Sequence, residues 1–221
     1  MAAFRLAVQM GARFIETDLR LTRDARLVAL HDDTVDRTTS GKGAVKDLSL
    51  AELRAFDAGS WFDPRFAGER IPTLDELLEF ARQTDVIFYL EVKAMGTWGG
   101  EHALVAALRE AGETARTVVL SFDPVVLLNV HRFDASVMTG LLLEDTTADP
   151  VERALAVGAR QLAPRGELVT PELLTAAHRH GLPVVPWTVN DEPHMRALAA
   201  AGVDGIMTDY PDRLIRVLRG L

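Results

Sequence analysis

The stretch FIETDLRL, Phe14 to Leu21, carries two acidic residues inside a run that otherwise reads as a buried strand. Alternate residues of a strand point to opposite sides. Ile15, Thr17, Leu19 and Leu21 share one side, and Phe14, Glu16, Asp18 and Arg20 share the other. A half-exposed antiparallel strand with its charges in water has this pattern. So does a strand of a parallel sheet whose apolar side packs on helices and whose charged side converges on a site. The rest of the sequence separates the two.

Strand-like and helical runs alternate to the end of the chain. MAAFRLAVQM opens as an amphipathic helix stopped by Gly11, and FIETDLRL follows. A short run, Leu27 to Asp32, leads into the polar stretch DDTVDRTTSGKGAVKDLS and then a helix closed by Gly59. Thr73 to Thr84 is a helix whose Thr73 and Glu76 form a capping box. Strands are then expected at VIFYLEVK, TVVLSFD, VMTGLLLE, RQLAPRG, LPVVPWTVN and VDGIMTDY, each followed by a helical pattern. This repetition predicts parallel strands with helical crossovers. Residues able to do chemistry gather at the strands' C-terminal ends: Glu16, Asp18, His31, Glu91, Lys93, Ser121, Asn190 and Asp209. An open doubly wound sheet shares that trend, but no GxGxxG turn is present. The expected fold class is α/β, a TIM-type (β/α)8 barrel. A strand normally precedes an opening helix of this kind, so the first barrel strand is expected to be absent from this sequence.

VIFYLEVK repeats the opening pattern, with Phe88, Leu90 and Val92 on one side and Tyr89, Glu91 and Lys93 on the other. Two such strands side by side would bring Glu16, Asp18 and Glu91 together. Three carboxylates in one place repel unless a cation neutralises them. The chain has no cysteine, so a metal must take oxygen or imidazole ligands. An all-oxygen set suits one hard divalent cation, Mg²⁺ or Ca²⁺. The net charge of −8 argues against nucleic acid and against anionic membranes, and no apolar run reaches the length of a membrane span. Hydrophobic content of 48% permits a sizeable core in a soluble chain, with the cytoplasm as the default location.

Taken in order, FIETDLRLTRDARLVALHDDTVDRTTSGKG, IPTLDELLEF, LEVK, LSF, AAHRHGLPVVPWTVN and GIMTDYP resemble the glycerophosphodiester phosphodiesterase family. The resemblance covers essentially the whole of residues 1–221, as a single phosphodiesterase barrel domain. It implies hydrolysis of small-molecule glycerophosphodiesters to an alcohol and glycerol 3-phosphate with a divalent metal. It also implies metal ligation by Glu16, Asp18 and Glu91, catalysis by His31, and a phosphate contact from Lys93. Phe122 and Trp187 are candidate substrate-binding aromatics, and residues 33–71 match a small insertion that caps the barrel mouth. Such proteins usually open with a strand carrying H-R, which this sequence lacks. The alternative is therefore a catalytically impaired or silent barrel acting as a binding module. Oligomeric state is left open.

Overall fold

The computed structural model describes residues 1–93, 99–145 and 149–220. They divide into two compact units, residues 1–9 with 13–117, and residues 10–12 with 118–221.

In the first unit, helix α1 (Ala2–Gln9) precedes β1 (Phe14–Leu21), and a tight turn leads to β2 (Leu27–Ala29). β2 returns antiparallel on β1, with Leu19 opposite Ala29 and Leu21 opposite Leu27. After α2 (Leu50–Ala55) and α3 (Leu74–Thr84), β3 (Ile87–Val92) lies parallel to β1 on its other side. Helix α4 (Gly99–Ala111) and a short 3-10 turn at Thr114–Arg116 follow. The expected capping box of α3 is present: the Thr73 hydroxyl accepts from the Glu76 N–H, and the Glu76 carboxylate accepts from the Thr73 N–H. Ser49 and Glu52 do the same for α2. The apolar sides of the strands are buried as read: Leu19, Phe88 and Leu90 are at most 1% exposed. Phe88 meets Phe4 of α1 edge-on at 5.7 Å and packs against Phe80 of α3 at 6.4 Å. The apolar side thus faces helices, and Asp18 and Glu91 lie on the opposite side.

Residues 33–71 gather around their own small cluster, in which Val35, Val45, Leu53 and Ile71 pack with Val28 of β2. The segment SGKG, Ser40 to Gly43, is irregular loop. Gly43 has φ +116° and donates its N–H to Asp36 at 2.8 Å. At Gly59, a Cβ would fall 1.9 Å from the Phe66 carbonyl oxygen, so no other residue fits without backbone movement.

The second unit holds the parallel ladder β4 (Thr117–Ser121), β5 (Met138–Leu143) and β6 (Gln161–Pro164). Helices α5 (Pro124–Phe133), α6 (Pro150–Ala156) and α7 (Pro171–Arg179) alternate with them, followed by α8 (Glu192–Ala201) and α9 (Pro211–Arg219). Leu127, Leu141, Leu162 and Val184 anchor its core.

The structure departs from the sequence reading at LPVVPWTVN and VDGIMTDY, which were expected as strands and form no continuous ladder. Both run extended in strand-like positions. Val185 and Trp187 donate to Leu162 and Pro164 of β6, and Leu162 donates to Pro183. Asp204 and Met207 donate in turn to Val184 and Pro186. Pro164 of β6, Pro183 and Pro186 have no N–H, so donors that would make these ladders continuous are missing.

Candidate active site

The parallel register of β1 and β3 sets Asp18 beside Glu91 and Glu16 beside Tyr89. Paired residues in register point to the same side, so the acidic side chains converge. Ligand oxygens of Glu16, Asp18 and Glu91 all lie within 4.8 Å of one another. Glu16 is exposed, Asp18 half-buried and Glu91 buried. Lys93, just past the end of β3, bridges two of them: its Nζ is 2.9 Å from Asp18 Oδ1 and also pairs with Glu91 Oε1.

Burial pushes the Glu91 carboxyl above its usual range, the Asp18 charge adds to this, and Lys93 and His31 pull the other way. Burial would lower the Lys93 ammonium, but its hydrogen bonds to Glu91 and Asp18 outweigh burial and raise it. The oxygen-only donor set and the close spacing of its ligand atoms fit a divalent cation.

His31 follows β2 and is exposed, with its Nδ1 2.9 Å from Asp32 Oδ1. Its backbone is tied to β1: Arg20 donates from Nε and Nη2 to the His31 carbonyl at 2.9 and 2.6 Å, and the Leu30 N–H donates to the Asp18 carbonyl at 3.0 Å. Arg37 forks onto Asp32, with Nε to Oδ2 at 2.7 Å and Nη2 to Oδ1 at 2.9 Å. The sequence reading gave no role to Arg20, Asp32 or Arg37. The last two stand in plain view in HDDTVDRTT, but their pairing spans five positions of irregular loop and has no periodic signature.

In the second unit Phe122 and Trp187 form an edge-on pair with ring centroids 5.5 Å apart. Trp187 Nε1 donates to the Ala163 carbonyl at 2.7 Å, which fixes its ring on β6. Asn190 and Asp209, also among the strand-end residues, bond to each other at 2.8 Å. His178 pairs with Asp204 at 2.9 Å, a tie between α7 and the extended segment that begins at Val203.

An acidic cluster, an ammonium and an imidazole on one unit of a parallel α/β chain are the equipment of a metal-assisted hydrolase. A sequence model of the Glycerophosphoryl diester phosphodiesterase family matches residues 1–213. A glycerophosphodiester phosphodiesterase of Caldanaerobacter subterraneus is 39% identical, over 99% of this chain and 91% of the relative. One from Bacillus subtilis is 35% identical, over 99% and 80%. Among solved structures, a phosphodiesterase of Oleispira antarctica in complex with the product sn-glycerol-3-phosphate superposes with a TM-score of 0.89 at 28% identity, covering 99% of this chain and 90% of that one. A structure from Silicibacter pomeroyi also gives 0.89, at 29% identity, covering 98% and 86%. The chain belongs to the glycerophosphodiester phosphodiesterase family. Its α/β fold with parallel strands is consistent with the TIM-type barrel expected. No helix among the described residues is long and apolar enough to cross a membrane.

Proposed function

We propose that the chain hydrolyses glycerophosphodiesters to an alcohol and glycerol 3-phosphate, using one divalent cation, Mg²⁺ or Ca²⁺, held by Glu16, Asp18 and Glu91. The convergence of these three carboxylates on the β1–β3 register carries the reading. When bound, the cation supplies charge neutralisation and Lewis acidity toward the phosphodiester.

The remaining work falls to the chain's own side chains. Lys93 brings a positive charge to the substrate phosphate and, through Asp18 and Glu91, keeps the carboxylates from repelling one another. His31 moves a proton at the reacting or leaving oxygen through Nε2, since Nδ1 is engaged by Asp32. Phe122 and Trp187 are candidate substrate-binding aromatics of the second unit, and the segment 33–71 acts as the cap of the acidic site. The substrate is a small molecule, as is the glycerol 3-phosphate in the Oleispira antarctica complex.

The test is release of glycerol 3-phosphate from glycerophosphocholine by this 221-residue chain. It is run with Mg²⁺, with Ca²⁺ and with EDTA, beside Glu16→Ala. Turnover that needs a divalent cation and is lost in the variant is expected. Turnover that survives both EDTA and Glu16→Ala removes the metal assignment. A folded chain that binds cation without turnover makes it a binding module.

A further inference from the structure

We propose that Asp32 and Arg37 are positioning residues that hold the His31 imidazole with Nδ1 protonated and Nε2 free, and that Trp61 steadies Arg37 in that task. The proposal rests on the reading of His31 as the proton-transfer group.

The His31 side chain is 66% exposed. An imidazole so open to water would sample several rotamers and both neutral tautomers, whereas proton transfer needs one ring orientation and one free nitrogen. Asp32 supplies the restraint, 2.9 Å from Nδ1. Its own side chain is only 23% exposed. Arg37, and then His31, hold its carboxyl well below the usual carboxylate range. An ionised carboxylate can only accept, so Nδ1 must donate, and the free lone pair or second proton is left on Nε2.

An aspartate next in sequence to the histidine restrains it only if its own rotamer is fixed. The Arg37 fork fixes both Asp32 oxygens at once, a geometry that a lysine cannot reproduce. Arg37 is itself held. Its loop is closed by the Val35 N–H to the Gly43 carbonyl at 3.0 Å and by the Gly43 N–H to Asp36. Its guanidinium carbon lies 6.0 Å from the Trp61 ring centre, within cation–π range. On the other side, Arg20 of β1 fixes the His31 carbonyl and the Asp18 carbonyl holds the N–H of Leu30 just before it. The ring is therefore oriented from the strand that carries Glu16 and Asp18 and, through Arg37 and Trp61, from the segment 33–71.

The proposal is tested by ¹⁵N-histidine NMR of the folded chain and by steady-state turnover of glycerophosphocholine, in the wild type, Asp32→Asn, Arg37→Ala, Arg37→Lys and His31→Ala. The wild type is expected to show His31 as one neutral tautomer with the proton on Nδ1, and Asp32→Asn a mixture. Asp32→Asn should lower kcat by about 10- to 100-fold, as loss of an orienting partner does, with KM nearly unchanged. Arg37→Ala should lower kcat less, Arg37→Lys should not restore it, and the double variant Asp32→Asn/Arg37→Ala should be no slower than Asp32→Asn alone. An unchanged tautomer in Asp32→Asn overturns the proposal whatever the activity. So does full kcat in Asp32→Asn when His31→Ala is inactive. Full turnover in His31→Ala overturns the underlying reading of His31 instead.

Discussion

Replacing Glu91 by glutamine should stabilise the cation-free protein and destabilise it relative to wild type once the cation is added. Glu91 and its acidic neighbours place ligand oxygens within 4.8 Å of one another. At an effective dielectric of about 20, two unit charges at that separation repel by ~3 kcal/mol. Lys93 offsets part of this, yet burial and Asp18 still leave the Glu91 carboxyl above its usual range. Ionised Glu91 is therefore a net cost in the folded, cation-free protein. The substituted glutamine would keep a carbonyl oxygen for Lys93 and lose the charge. With cation the balance reverses. A ligand at about a hundred times its Kd adds ~2.7 kcal/mol to the state that binds it. For a 221-residue chain the unfolding entropy is about 0.46 kcal/mol/K, so this is a rise in Tm of about 6 °C. Calorimetric melting of both proteins in EDTA and in millimolar Mg²⁺ or Ca²⁺ reads the result. The expected pattern is a crossing: Glu91→Gln melts at or above wild type in EDTA, and below it with cation. Equal cation-induced shifts in the two proteins would refute the reasoning, as would a Glu91→Gln protein that is much the weaker of the two in EDTA.

The same imbalance sets a pH dependence. A carboxyl whose folded pKa is raised favours folding while protonated. Its contribution is therefore lost as pH rises from its usual 4.5 through the folded value. Cation-free wild type should lose stability relative to Glu91→Gln across that window, and melting in EDTA at a series of pH values checks it. His31→Ala should lower turnover by about 10²- to 10⁴-fold, the worth of one positioned proton-transfer group, with cation binding intact by calorimetric titration. Gly59→Ala should destabilise the chain by about 1–3 kcal/mol, because its Cβ would meet the Phe66 carbonyl oxygen at 1.9 Å; denaturant unfolding measures it, and an unchanged midpoint would show that the 59–66 turn relaxes freely.

How legible each part was in the sequence follows from the range of the interaction that makes it. The period-two pattern of FIETDLRL and VIFYLEVK records local geometry, so which side each residue takes could be read directly, and with it the convergence of Glu16, Asp18 and Glu91. The capping box at Thr73 and Glu76 is equally local. LPVVPWTVN has the composition of a strand, but laddering depends on donors, and Pro183 and Pro186 remove them in a way that apolar periodicity does not register. The Arg37–Asp32–His31 arrangement stayed hidden because it depends on side-chain directions within an irregular loop.

The acidic cluster exists because the apolar sides of the same two strands hold it there. A slip of β1 by one residue against β3 would turn Glu16 and Asp18 toward the helices and Ile15 and Leu19 away from them. That slip would relieve the carboxylate repulsion of ~3 kcal/mol. It would also withdraw Leu19 and Ile15 from burial beside Phe88 and Leu90, at about 1.5–3 kcal/mol for each large side chain exposed. Two charged residues would enter the helix-facing layer, each at several kcal/mol. The register is pinned at both ends, where the Ile87 N–H reaches the Arg13 carbonyl at 2.9 Å and the Lys93 N–H the Leu19 carbonyl at 3.4 Å. The balance thus favours the observed pairing even without a cation, and Lys93 lessens the repulsion between Asp18 and Glu91 further. Apolar packing on one side of the strands thus supports like charges on the other, and the three carboxylates are held together by the fold itself.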